Sequence, residues 1–370
     1  MALLARARQL EAAGRDIVHM EIGEPDFPTP QPVVEAGLAA IRGGDVHYTP
    51  ATGLAALREA IAGFYQRRYG VSIDPARVIV TPGASGALLL ALGVLMDRDE
   101  AVMMADPGYP CNRNFVTFLE GKTQGIPVGA AQGYQLTPEL VREHWQADTR
   151  VLMLASPSNP TGTLVPESDL QQMIDIATKK QGSVIVDEIY HGLVYDHEAQ
   201  TALALSDEVF VINSFSKYFG MTGWRLGWMV VPERHIDAVD KLAQNLFLAA
   251  PTPSQYAALA AVTPETLAIL EQRRSEFQRR RDFLLPALRQ LGFKISVEPQ
   301  GAFYLYADCS AFTDDSYAFA LDLLENAGVA ITPGKDFGHN APEKHVRFAY
   351  TTGLSRLKEG VARLQSYLKP

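Results

Sequence analysis

Apolar residues recur along this chain in two rhythms. Short, almost unbroken apolar runs occur at residues 78–80, 101–105, 151–155, 184–186, 209–212 and 229–231. Runs of that length, apolar at every position, predict strands buried on both faces. Between and around them lie stretches with apolar positions three and four apart, which predict amphipathic helices over 3–14, 31–42, 54–69 and 265–289. Gly14 and the pair Gly43-Gly44 end two of these helices. Strands alternating with helices predict an α/β fold: a mostly parallel sheet covered by helices, its ligand held at the carboxyl ends of the strands. The larger unit is expected over 41–255. Segments 293–297, 301–306 and 329–331, after the long polar helix, predict a smaller α/β unit built from 256–370 and completed by 1–40.

Composition narrows the class. With 370 residues, 47% of them hydrophobic, the chain can bury a core of two-domain size. Its net charge of −9 argues against a nucleic-acid partner. Cys111 and Cys309 are the only cysteines, too few for a disulfide framework, which fits a reducing cytoplasm. The most apolar stretch, 87–96, is too short to span a bilayer, so no membrane partner is expected. The arginine-bearing start reads as a folded helix rather than a targeting signal. There are no repeats or low-complexity tracts, and no metal is expected.

The candidate chemistry centres on 213–228, between two of the buried runs. Lys217 stands among Phe215, Tyr218 and Phe219. Poor solvation disfavours its ammonium and leaves free amine, which attacks carbonyls. Arg225, between glycines that let backbone approach a ligand, offers a planar fork for a phosphate. Ser214 and Ser216 add hydroxyl donors. An ordinary solvated loop would not carry two Phe, two Trp and a Tyr.

The stretch S-F-S-K-x-F-G-M-T-G-W-R-x-G, Ser214 to Gly227, resembles the cofactor-lysine segment of pyridoxal-phosphate aminotransferases of fold type I, class I/II. The likeness extends through most of the chain. It implies a three-layer α/β/α large domain with a mostly parallel sheet plus a smaller α/β domain. It also implies pyridoxal 5'-phosphate bound as a Schiff base on Lys217, and a homodimer. Gly83, Ala84 and Ser85, at a strand–glycine–helix junction, resemble the phosphate cradle, where exposed helix amides and the dipole favour an anion. Ser214, Ser216 and Arg225 would join them, and Tyr48, in H-Y-T-P-A-T-G, would reach the neighbouring subunit's phosphate. Tyr109 matches the position that stacks on the pyridine ring. Asn159, in S-P-S-N-P-T-G, and Tyr190 would hydrogen-bond the ring oxygen. Read alone, Asp187 at the end of 183–187 is either a Walker-B-like metal ligand or a helix cap. No P-loop accompanies it, and the resemblance makes it the partner of the pyridine nitrogen. Gly23 and Arg347, with Asn159, would meet the substrate, Arg347 holding its α-carboxylate. The family's N-terminal arm is expected to be short or absent.

The resemblance implies transfer of an amino group between an L-amino acid and a 2-oxo acid. Aspartate-specific relatives carry a lysine near the phosphate loop, and Ser85-Gly86 offers none. A neutral donor, alanine or an apolar or aromatic amino acid, is therefore expected, with 2-oxoglutarate or pyruvate accepting. Arg113 leaves an aspartate-type enzyme open, and a β-lyase would use the same lysine. A cofactor-binding regulator is the third alternative; it would need a DNA-binding module for which there is no room before Ala5.

Overall fold

The computed structural model describes residues 2–368. In chain order its strands are β1 (Val18–His19), β2 (Val78–Thr81), β3 (Ala101–Asp106), β4 (Lys122–Pro127), β5 (Thr149–Ala155), β6 (Ser183–Asp187), β7 (Val209–Ser214), β8 (Gly227–Val230), β9 (Tyr304–Asp308), β10 (Val329–Ala330), β11 (Thr332–Pro333) and β12 (His345–Ala349). Seven of them form one sheet in the order β2-β8-β7-β6-β5-β3-β4. All its pairings are parallel except the two made by β8, which runs against both β2 and β7. Six strands therefore end at one edge of the sheet, and β8 starts there.

Unbroken apolar runs make sense in this sheet because both faces are covered. Val184, Val186, Val209 and Val211 pack into one core with the helices Ala55–Tyr69 and Glu167–Lys179. The intervening Ile185, Phe210 and Ile212 pack into a second core with Gly83–Leu95 and Ile236–Leu246. Alternate residues of each strand thus face opposite helical layers. The three-layer arrangement expected from the sequence is present.

The remaining strands form two smaller sheets. β9, β12 and β11 pair antiparallel, with β12 central, and β1 pairs with β10 in parallel. β12 and β9 are registered so that Arg347 lies opposite Tyr306 and Ala349 opposite Tyr304, while Thr332 of β11 flanks Arg347 on the other side. The helix Pro264–Leu291 carries Thr263 as its N-cap and ends at Gly292, whose φ of 108° suits a residue without Cβ.

Two expectations about strands are corrected. Segment 293–297 is not a strand: Phe293 and Ile295 are buried as the alternation requires, but its backbone makes only one isolated bridge, Lys294 to Asp308. Lys294 and Asp308 exchange both backbone bonds, and among the described residues no second pair follows to extend them into a ladder. In 301–306 the strand begins only at Tyr304, with Gly301 in an isolated bridge to Val194.

Candidate active site

Strand direction decides where the chemistry collects. The carboxyl ends of β2, β5, β6 and β7 deliver Gly83, Asn159, Asp187 and Ser214 to one edge, and the return into β8 brings Arg225 back to it. Lys217 sits in the turn between β7 and β8. Its Nζ donates to the Gly23 carbonyl at 2.7 Å, and its charge lies 6.0 Å from the Phe303 ring centre. Burial lowers the ammonium's pKa to about 8; Glu24 opposes this, while Arg347 and Arg225 assist by repulsion.

Gly83 and Arg225 meet closely. Gly83 has a φ of 74°, and a Cβ there would lie 2.9 Å from an Arg225 guanidinium nitrogen. A Cβ on Gly227 would come within 2.7 Å of the Gly83 carbonyl carbon and 2.8 Å of the Ala84 nitrogen. Glycine at both positions lets the start of β8 press against the first turn of Gly83–Leu95, where Ala84 and Ser85 sit. Arg225 is anchored by one bond, Nη1 to the Thr222 carbonyl at 2.8 Å. The Ser214 and Ser216 hydroxyls are 2.8 Å apart, and Ser214 also donates to the Leu226 carbonyl.

Asp187 is buried, and burial raises its carboxyl pKa to about 6 against the pull of the Ile189 amide and of Lys217. One oxygen accepts from the Ile189 amide at 3.0 Å. Arg347 is also buried. Its guanidinium lies between the Tyr304 and Phe337 rings, 4.2 and 4.9 Å from their centres. It donates to Asn159 Oδ1 at 2.9 Å, to the Glu21 carbonyl at 2.6 Å and to Thr332 Oγ1 at 3.3 Å. Its Nε is buried without a partner. The Tyr190 hydroxyl lies 2.9 Å from that of Tyr304.

Tyr109, 37% exposed, stands just before the helix Pro110–Phe118; its partial burial and then Cys111 lift its phenol above the ordinary value, with Tyr304 and Asp187 adding to the effect. Two expected residues are not gathered in. Tyr48 stands on the surface, 82% exposed, and the half-buried Arg113 donates to the Asp336 carbonyl. Cavities of about 250 and 580 Å³ open against His191, His197 and Gln200, but neither has Lys217, Arg225 or Arg347 in its wall. Sequence reasoning passed over Tyr304, Thr332 and Phe337. Tyr304 and Tyr306 show the alternation of one strand face, but nothing in the sequence says that this face meets Arg347.

The family model for aminotransferase class I and II matches residues 15–364. The chain belongs to this family. The valine–pyruvate aminotransferase of Mycobacterium tuberculosis is 40% identical over 99% of this chain and 94% of that protein. A crystal structure of an aminotransferase from the same organism superposes with a TM-score of 0.97 at 38% identity, over 100% of this chain and 95% of that one. The aspartate aminotransferase of Thermus thermophilus with maleate gives 0.93 at 34% identity, over 99% and 95%. The protein is a pyridoxal-phosphate-dependent aminotransferase of fold type I. Its residues fit that cofactor: a lysine with a lowered pKa, a buried carboxylate for a ring nitrogen, and a glycine-lined approach of Arg225 to a helix N-terminus. Among the described residues no helix is long and apolar enough to cross a membrane.

Proposed function

We propose that this aminotransferase takes a neutral L-amino acid, apolar or aromatic, as donor and pyruvate or 2-oxoglutarate as acceptor. The observation that carries the proposal is the setting of Arg347. It is the buried cation beside Asn159, its faces are covered by aromatic rings, and Nε is uncommitted. That site suits one α-carboxylate. The other candidate cation, Arg113, donates to the Asp336 carbonyl, and Ser85-Gly86 brings no lysine to the phosphate turn. The valine–pyruvate relative supports a neutral donor; the aspartate relatives, at lower identity, favour a second carboxylate.

The roles follow from positions. Lys217 is the attachment point and, when released, the base that moves the proton from the substrate's Cα; burial keeps a useful share of it unprotonated. The bound cofactor supplies an electron sink for the bond broken at Cα. Asp187 holds the ring nitrogen protonated, Asn159 and Tyr190 hydrogen-bond the ring oxygen, and Tyr109 stacks on the ring. Gly83, Ala84, Ser85, Ser214, Ser216 and Arg225 hold the phosphate. Gly23, Asn159 and Arg347 meet the substrate. The exposure of Tyr48 supports its completing a partner's phosphate site in a homodimer. We place the enzyme in the cytoplasm and divide it into a large domain over 41–255 and a small one from 1–40 and 256–370.

A panel of donors tests the substrate class. With pyruvate or 2-oxoglutarate as acceptor, kcat/KM for valine, alanine or phenylalanine is expected to exceed that for aspartate by about tenfold or more. A preference for aspartate that disappears in Arg113→Gln would assign the second carboxylate to Arg113 and overturn the proposal. Pyruvate and ammonia released without an acceptor would point to a lyase instead.

A further inference from the structure

Tyr304 stands where three parts of the site touch. Its hydroxyl lies 2.9 Å from that of Tyr190. Its ring lies beneath the Arg347 guanidinium at 4.2 Å. The same hydroxyl abuts Gly23 so closely that a Cβ there would lie 2.2 Å away, and the Gly23 carbonyl is the acceptor of Lys217. Tyr304 is fully buried on β9, with Phe303 and Tyr190 edge-on to its ring. The described structure gives its hydroxyl the Tyr190 hydroxyl as hydrogen-bond partner.

We propose that Tyr304 is a positioning residue that acts on the cofactor through Tyr190. A phenol has one proton to donate. If Tyr190 donates to the cofactor's ring oxygen, as the reading above holds and on which this inference rests, then the bond between the two hydroxyls must run from Tyr304 to Tyr190. Hydrogen bonds in such a chain strengthen one another, so the Tyr304 proton makes Tyr190 the better donor. Arg347 sits on the Tyr304 ring, and its charge works against the burial that otherwise raises the Tyr304 pKa, which favours donation. The carboxylate grip and the ring-oxygen grip therefore share one side chain.

The consequence is spectroscopic. The ring oxygen carries most negative charge once the nitrogen joining Lys217 to the cofactor has lost its proton. A good donor to that oxygen favours this loss, and a weakened donor delays it to higher pH. Tyr304→Phe keeps the ring beneath Arg347 and removes only the hydroxyl. The pH midpoint of the enzyme's visible absorbance change is expected to rise by roughly half to one unit in Tyr304→Phe, as for the weakening of one hydrogen bond. In Tyr190→Phe the rise is larger. Adding Tyr304→Phe to Tyr190→Phe moves the midpoint no further, because the intermediary is gone. KM for the amino donor changes less than threefold in Tyr304→Phe, and rises further in Tyr304→Leu, which removes the aromatic face under Arg347.

The inference is overturned by an unchanged midpoint in Tyr304→Phe, or by equal shifts in the presence and absence of the Tyr190 hydroxyl. Either result leaves the cofactor reading standing, since the visible band itself reports that. A wild-type protein that takes on no visible band with pyridoxal phosphate sinks the cofactor reading, and this inference with it. Thermal midpoints of the wild type and the three Phe variants, measured alongside, are expected to agree within a few degrees, so that a shifted titration reports the site and not a loosened fold.

Discussion

Lys217 makes a quantitative prediction about how the empty protein takes up its cofactor. Only the free amine attacks the aldehyde, so uptake follows the unprotonated fraction. Burial brings the Lys217 pKa from 10.5 down to about 8. At pH 7 this multiplies the free amine by about 300-fold relative to an ordinary lysine. The sign is fixed: a depressed lysine pKa means that reactivity grows as pH rises toward 8 and levels off above it. Stopped-flow mixing of apoenzyme with pyridoxal phosphate, followed by the visible band, should give a rate constant rising close to tenfold per unit below pH 7 and flat above about pH 9. Glu24 raises the Lys217 pKa, and its carboxylate accepts from Thr222. Glu24→Gln should therefore move the plateau to lower pH by several tenths of a unit, roughly. A rate still climbing tenfold per unit between pH 8 and 10 would refute the claim that the pocket desolvates this amine. A Glu24→Gln profile displaced upward would refute the assigned electrostatics.

Three further outcomes are expected. Asp187→Asn should retain cofactor but lose turnover by about 100-fold or more, because an amide cannot stabilise a protonated ring nitrogen; single-turnover kinetics with a saturating donor measures it. In Arg347→Lys the ammonium cannot span both carboxylate oxygens, and kcat/KM for the amino acid should fall about 10- to 100-fold, read from initial rates. Trp228 is fully buried, 4.8 Å from Phe215 and 6.0 Å from Phe219 by ring centres, and donates to the Tyr65 hydroxyl. Trp228→Ala should cost about 3–5 kcal/mol in a denaturant titration, with no change expected in the order of substrate preference.

Much of this was legible in the chain because the chemistry lies where apolar runs stop. Asp187 closes β6, Ser214 closes β7 and Gly83 follows β2, so reading the strands also placed these candidate residues at one edge of the sheet. The direction of β8 was not legible: nothing local distinguishes an antiparallel return from another parallel strand, yet that return is what sets Arg225 over Gly83. Segment 293–297 shows the opposite limit. Alternation reported burial there, but whether a ladder forms depends on the partner, and the one bridge formed is Lys294 to Asp308. Arg347 was visible as a lone charge in an apolar strand. Its covering by Tyr304 depends on the register of β9 against β12, and its covering by Phe337 on the turn after β11; neither is written in the local pattern.

The central claim is that Lys217 is the amine to which the cofactor attaches. Reducing the purified holoenzyme with borohydride and mapping its peptides by mass spectrometry tests this most directly. The account predicts a pyridoxyl group fixed on Lys217 and lost in Lys217→Ala. A stable adduct on any other lysine, or none on an enzyme that turns over, would contradict it.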